Sequence, residues 1–154
     1  MRVLVGRGSC GNAAGAGELF RVFQEDGADV SPVGCIGMCY LEPIVDVVDE
    51  KGGRATFVKV DPSGAADIAK FVKDCAIAGL RDFTGVSSTP AENFAAYKYL
   101  IHPEDKKILG SQKRIALANC GIINPESIDE YVKAGGYEAI KKALAEMSPE
   151  EVID

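Results

Sequence analysis

Short apolar runs punctuated by glycine open the chain. Arg2–Val5 (RVLV) ends at Gly6 and predicts a strand. Gly11–Glu25 places Ala14, Leu19, Val22 and Phe23 at roughly helical spacing, and Asp26-Gly27 stops that helix. Ala28–Val33 predicts a second strand, with Pro32 disturbing the pairing near its end. A loop of two cysteines and two glycines follows, GCIGMCYLEP over residues 34–43. Ile44–Val48 and Ala55–Val60 are β-rich runs around Asp49-Glu50-Lys51-Gly52-Gly53, which is a hairpin signal. Asp61-Pro62-Ser63 opens a helix whose Ile68, Phe71, Val72, Cys75 and Gly79 share one face.

Residues 1–80 therefore read β-α-β-β-β-α. A helix between the first two strands implies a right-handed parallel crossover, and the next two strands form an antiparallel hairpin. The expected fold is α/β, a mixed four-stranded sheet in the thioredoxin-like arrangement. Residues 81–111 change character: Ser87-Ser88-Thr89-Pro90, then helix-prone Ala91–Leu100, then His102-Pro103 and a charged turn. They read as a linker with one short helix. In the last segment, 112–154, Ile115-Ala116-Leu117 suggests a short strand within Gln112–Ala118. Asn124-Pro125-Glu126 suggests a capped helix start with Ile128, Tyr131 and Val132 as its apolar stripe. Tyr137–Met147 suggests a further helix with Ile140, Ala143, Leu144 and Met147 turned inward. Ser148-Pro149-Glu150-Glu151 is another helix start, with a capping box. A start so near the last residue leads us to expect the front piece of a longer polypeptide.

Composition narrows the function. The chain has 154 residues, 47% of them hydrophobic and 26% charged, enough for a real core. No run of about 18 apolar residues occurs, so membrane insertion is not expected. Met1–Gly8 lacks the apolar core of a secretory leader, which predicts a cytoplasmic protein. The net charge of -6 is spread without a basic block, which argues against nucleic-acid partners. One histidine and no tryptophan exclude His-rich metal sites and tryptophan stacking platforms.

Five cysteines, at 10, 35, 39, 75 and 120, are the informative count. Without a secretory leader they point to metal or redox chemistry rather than stable disulfides. In a parallel β-α-β unit the loops after the two strands lie side by side. Cys10 is in the first loop, Cys35 follows the second strand, and Cys39 lies four residues further on. Three thiols are thus expected on one rim, where glycine-rich loops offer N–H groups to sulfur, as an iron–sulfur cluster requires. Gly6-Arg7-Gly8-Ser9-Cys10-Gly11 also matches a dinucleotide fingerprint, but no acidic residue ends the second strand to hold a ribose. Those glycines read instead as permitting a tight strand-to-helix turn. Cys120 reads as a small buried thiol, His102 as an exposed turn residue, and Glu42 as fixing loop geometry. Met38 and Tyr40 read either as flanking the cysteine rim and shielding it from water or as ordinary packing residues.

Cys10-Gly-Asn-Ala-Ala-Gly, Gly34-Cys35-Ile-Gly-Met-Cys39 and Glu42-Pro43-Ile-Val together resemble the thioredoxin-like 2Fe-2S ferredoxin domain. More narrowly, they resemble its version at the front of the NADH- and FMN-binding subunit of NADH:quinone oxidoreductase. Related NAD-linked hydrogenases and formate dehydrogenases share it. Gln112–Tyr131 resembles the segment leading into the flavin domain of those subunits.

The resemblance implies a 2Fe-2S cluster on Cys10, Cys35 and Cys39, a cis-Pro43, and partners among the other subunits of an NAD-linked redox complex, or a ferredoxin. FMN and NAD would bind only in a longer parent protein. The family's fourth cysteine is absent: Gly15 stands near its place. Ser9 or an exogenous ligand would have to complete a cluster. Two other readings follow from the same residues. One is a cluster-free docking module for assembly of such a complex. The other is a thiol–disulfide enzyme, disfavoured because Cys10 is followed by Gly-Asn-Ala and Cys35/Cys39 are spaced C-x-x-x-C.

Overall fold

The computed structural model describes residues 1–78 and 95–153, with side chains through residue 74 in the first stretch. The expected Gly79, the face position of Cys75 and the segment Ser87–Pro90 lie outside the described residues. So does the first part of the helix expected at Ala91–Leu100. Four strands form one sheet: β1 (Arg2–Gly6), β2 (Val30–Val33), β3 (Val45–Val48) and β4 (Arg54–Phe57). Their order is β2-β1-β3-β4, with β1 and β2 parallel and the other two pairings antiparallel. This is the mixed α/β arrangement that the pattern predicts. Pro32 is tolerated because β2 is an edge strand, where one side needs no ladder donor. The hairpin turn is held by Asp49, whose carboxylate accepts from the N–H groups of Lys51 and Gly53.

Period-two alternation sends Val3, Val5, Val45, Val47, Ala55 and Phe57 to one face of the sheet. Helices α2 (Ala16–Glu25) and α3 (Pro62–Ala78) cover that core with Leu19, Phe23, Ile68 and Phe71. Phe57 and Phe71 meet edge-to-face with ring centroids 5.3 Å apart. The single helix expected over Gly11–Glu25 is two: α1 (Ser9–Ala13) and α2, separated at Gly15, whose φ of 100° lies in the left-handed region. A 3-10 turn at Ala95–Tyr99 packs Ala96 and Tyr99 onto the same core. Helix α4 (Pro103–Ser111) is capped by His102, whose Nδ1 accepts from the Glu104 N–H.

The other sheet face carries Arg2, Leu4, Asp46, Arg54 and Thr56. Asp46 is buried, bound by the Thr56 hydroxyl and by Arg54 at 2.9 Å. Arg54 also donates to the carbonyl of Gly121, and Arg2 pairs with Glu130 at 2.7 Å. These contacts tie the last segment to the sheet.

That segment departs from expectation. Ile115-Ala116-Leu117 lies in turns rather than a strand and pairs with none of the four strands. The helix expected to start at Asn124 begins at Ile128. Asn124 instead accepts from Glu126 N–H in a local turn, and Ser127 caps α5 (Ile128–Lys133). Helices α6 (Glu138–Glu146) and α7 (Pro149–Ile153) follow. Ser148 and Glu151 form the expected reciprocal capping box. Ile128, Tyr131, Val132, Ile140 and Leu144 are exposed rather than inward, since no layer covers them among the described residues. No helix among the described residues is long and apolar enough to cross a membrane.

Candidate metal centre

Parallel pairing makes the site. Beyond β1, the Arg7 N–H donates to the carbonyl of Val33 at the end of β2, which sets the two following loops side by side. The first loop enters α1 with Cys10, and the second begins with Cys35. A 3-10 turn, Cys39–Leu41, brings the third thiol back. The Sγ atoms of Cys10 and Cys35 are 3.3 Å apart, those of Cys35 and Cys39 3.7 Å, and all three lie within 4.8 Å of one another. Thiolates sharing one four-coordinate metal with bonds of about 2.3 Å stand about 3.8 Å apart. The three cysteines could therefore hold a metal ion. Gly37 donates its N–H to Cys35 Sγ at 3.3 Å, the kind of contact that stabilises sulfur bearing negative charge.

Glycines make the approach of these loops feasible. A methyl group on Gly8 would stand 2.9 Å from Cys35 Cβ, and one on Gly11 would strike the Gly6 carbonyl. The glycine motif is thus used for close backbone packing around the thiols, in keeping with the turn reading.

Glu42 is a participant that sequence reasoning cast only as loop geometry. The Glu42–Pro43 peptide is cis, as the resemblance implied. The surrounding backbone is laced to the sheet: Gly6 N–H donates to Ile44 O, Lys59 N–H to Leu41 O and Val60 N–H to Pro43 O. The Glu42 side chain is only 8% exposed. Its Oε2 accepts from the Ile44 N–H at 2.8 Å, and its Oε1 lies 3.7 Å from Cys10 Sγ. Burial pushes this carboxyl above its usual range, and the Ile44 hydrogen bond pulls it partly back. Burial among glycine, cysteine and proline was the available signal: an acid flanked by Leu41 and Pro43 next to a thiol loop has little water to face.

The Cys10 thiol is also raised, first by its hydrogen bond with Cys35 and then by burial. A raised thiol is the reverse of what a thiol–disulfide nucleophile needs. Met38 packs with Ile36, Leu41 and Ile44 in a small cluster behind the rim. Tyr40 does not shield the thiols: it is exposed and hydrogen-bonds Asp105 of α4. Ser9 is exposed. Cys120 is half-buried rather than buried. Its Sγ lies 3.6 Å from the position a Cβ would take on Gly34, outside the three-thiol group.

No protein-family model matches the chain. Over 43 residues it is 56% identical to the NADP-reducing hydrogenase component HndC of Solidesulfovibrio fructosivorans, a match covering 28% of this chain and 9% of that protein. Over 28 residues it is 71% identical to a component of the NADH-quinone oxidoreductase of Aquifex aeolicus (strain VF5), covering 18% of this chain and 6% of that protein. The matched length is thus under a tenth of either relative. These matches support a relationship to NADH-dehydrogenase-type subunits and bear on the subunit type, not on its domains.

Proposed function

We propose that the chain is an electron-transfer piece of an NADH-dehydrogenase-type subunit, with a 2Fe-2S centre on Cys10, Cys35 and Cys39. The observation that supports this most is the meeting of three sulfurs, far apart in sequence, within 4.8 Å. The donor chemistry fits: thiolates for ferric iron, and a loop N–H on Cys35 Sγ. When bound, such a centre supplies one-electron exchange. The chain's own residues hold it, keep one side against the Ile36–Met38–Leu41–Ile44 cluster, and leave Cys39 exposed toward a partner.

In this reading the partners are the other subunits of a soluble, cytoplasmic NAD-linked complex, or a ferredoxin. FMN and NAD bind in a longer parent protein. The domains are 1–80 for the thioredoxin-like ferredoxin unit, 81–111 for the linker and 112–154 for the lead-in to a flavin domain. The test is anaerobic preparation of the full chain, which keeps Cys10 and Cys35 reduced. The expected result is visible absorbance with two irons and two sulfides per chain. A colourless, iron-free chain that still assembles into its complex with all three cysteines replaced by serine supports the docking module instead.

A further inference from the structure

Three sulfurs leave a four-ligand centre one donor short. We propose that the Glu42 carboxylate, through Oε1, is the fourth ligand of the Cys10–Cys35–Cys39 centre. This deepens the electron-transfer reading, which places a cluster on the same cysteines without a fourth residue.

Four observations carry it. First, the acid is buried yet has no lysine, arginine or histidine paired with it among the described residues. A carboxylate taken out of water is costly unless it is paired or coordinates a metal. Second, its two oxygens have separate duties: Oε2 is occupied by the Ile44 N–H, while Oε1 is directed at Cys10 Sγ, its one hydrogen-bond contact among the described residues. Third, the chain keeps room for this carboxylate. A methyl on Gly6 would stand 3.0 Å from Oε2, and one on Gly11 would stand 3.2 Å from it. Fourth, the donors form two pairs of equal reach, Cys35 with Cys39 at 3.7 Å and Cys10 with Glu42 at 3.7 Å. Two such pairs suit the two irons of a 2Fe-2S unit. The shared chemistry is a thiophilic metal with three sulfur ligands and one oxygen. The alternatives are poorer: Gly15 has no donor and Ser9 is exposed, whereas Glu42 Oε1 touches Cys10 Sγ.

The test uses the full reduced chain under argon, in two arms, with Glu42→Gln as the main variant. Glutamine keeps an oxygen for the Ile44 N–H and removes the anionic ligand, and circular dichroism verifies the fold. In the first arm cobalt(II) is titrated. Wild type is expected to bind one ion with tetrahedral bands and sulfur-to-cobalt charge transfer. Glu42→Gln is expected to bind roughly tenfold or more weakly with shifted bands, because losing a ligand costs no less than losing a supporting contact. Ser9→Ala and Cys120→Ser are expected to match wild type. Equal affinity and spectrum for Glu42→Gln, or weakening by either other variant in its place, overturns the assignment.

In the second arm the chain is reconstituted with iron-57 and sulfide. Mössbauer spectra of the wild type are expected to show two inequivalent ferric sites, altered in Glu42→Gln. A cluster that loads identically in both overturns the Glu42 assignment and leaves electron transfer standing. Cobalt binding that depends on Glu42, without any cluster, does the opposite. A wild type that takes neither overturns both.

Discussion

Residues 1–72 and residues 112–153 treat their large apolar side chains in opposite ways. In the first region Val3, Val5, Leu19, Phe23, Phe57, Ile68 and Phe71 have almost no solvent exposure. In the last, Leu144 is 83% exposed and Ile115 78%. The first region has a sheet, and two longer helices can lay their apolar stripes on it. The last has helices of six, nine and five residues and no sheet of its own among the described residues. Helices that short are marginal in water without tertiary packing. They are written by caps: Ser127 on the Glu130 N–H, Ser148 with Glu151, and the edge-to-face contact of Tyr131 with Tyr137. Capping residues and periodicity are enough to specify where a helix runs. Burial is what makes it hold.

The contrast is sharpest in paired truncations. Phe57→Ala is expected to destabilise the chain by about 3–5 kcal/mol, and Leu144→Ser by less than ~0.5 kcal/mol. Urea unfolding monitored by circular dichroism reads both, and comparable losses would erase the distinction. Next in size is the join between the regions. Arg54→Met leaves Asp46 buried with Thr56 as its remaining partner, a loss of about 1–3 kcal/mol, toward the lower end because Arg54 is partly solvated. The same change releases the Gly121 carbonyl, so amide exchange should quicken around residues 120–123 while the β1–β3 amides stay protected. Ser127→Ala removes the α5 cap, at about 1 kcal/mol. That loss should be local, seen as faster exchange over 128–133 with the global unfolding midpoint barely moved.

The smallest expected effect is a proton linkage in the first region. Hydrogen bonds from the Ser63 hydroxyl and the Gly64 N–H hold the Asp61 carboxyl at about 2, below its ordinary 3.8. A depressed acid stabilises the fold fully above its unfolded pKa and loses that contribution as pH falls through the folded value. Between pH 3.8 and about 2 the wild-type unfolding midpoint should therefore drop more steeply than that of Asp61→Asn.

The first region was legible because its signals agree at every level. Alternation placed the strands, Asp49 to Gly53 placed the hairpin, and the crossover put Cys10 beside Cys35. The α1–α2 break was harder to see, since Gly15 looks like any small residue until its backbone is forced left-handed. The last region misled for a physical reason: Ile140 and Leu144 follow the inward pattern, but periodicity says which side of a helix is apolar and not whether anything covers it. Ile115-Ala116-Leu117 has β-propensity, but propensity alone does not bring a segment into a sheet. At the thiol rim, the three sulfurs followed from topology alone. Glu42 did not, because its role depends on a buried path through Leu41 and Pro43 that returns the chain beneath Gly6 and Gly11.

One consequence follows from the bond between the Arg7 N–H and the Val33 carbonyl. It exists only after the polypeptide has travelled from β1 through two helices and back, so Cys10 and Cys35 are strangers in the nascent chain. A site built from all three thiols therefore exists only in the folded chain, and a metal held there would be coupled to folding. Such a metal would stabilise the folded state over the unfolded one, as any ligand selective for the native state does.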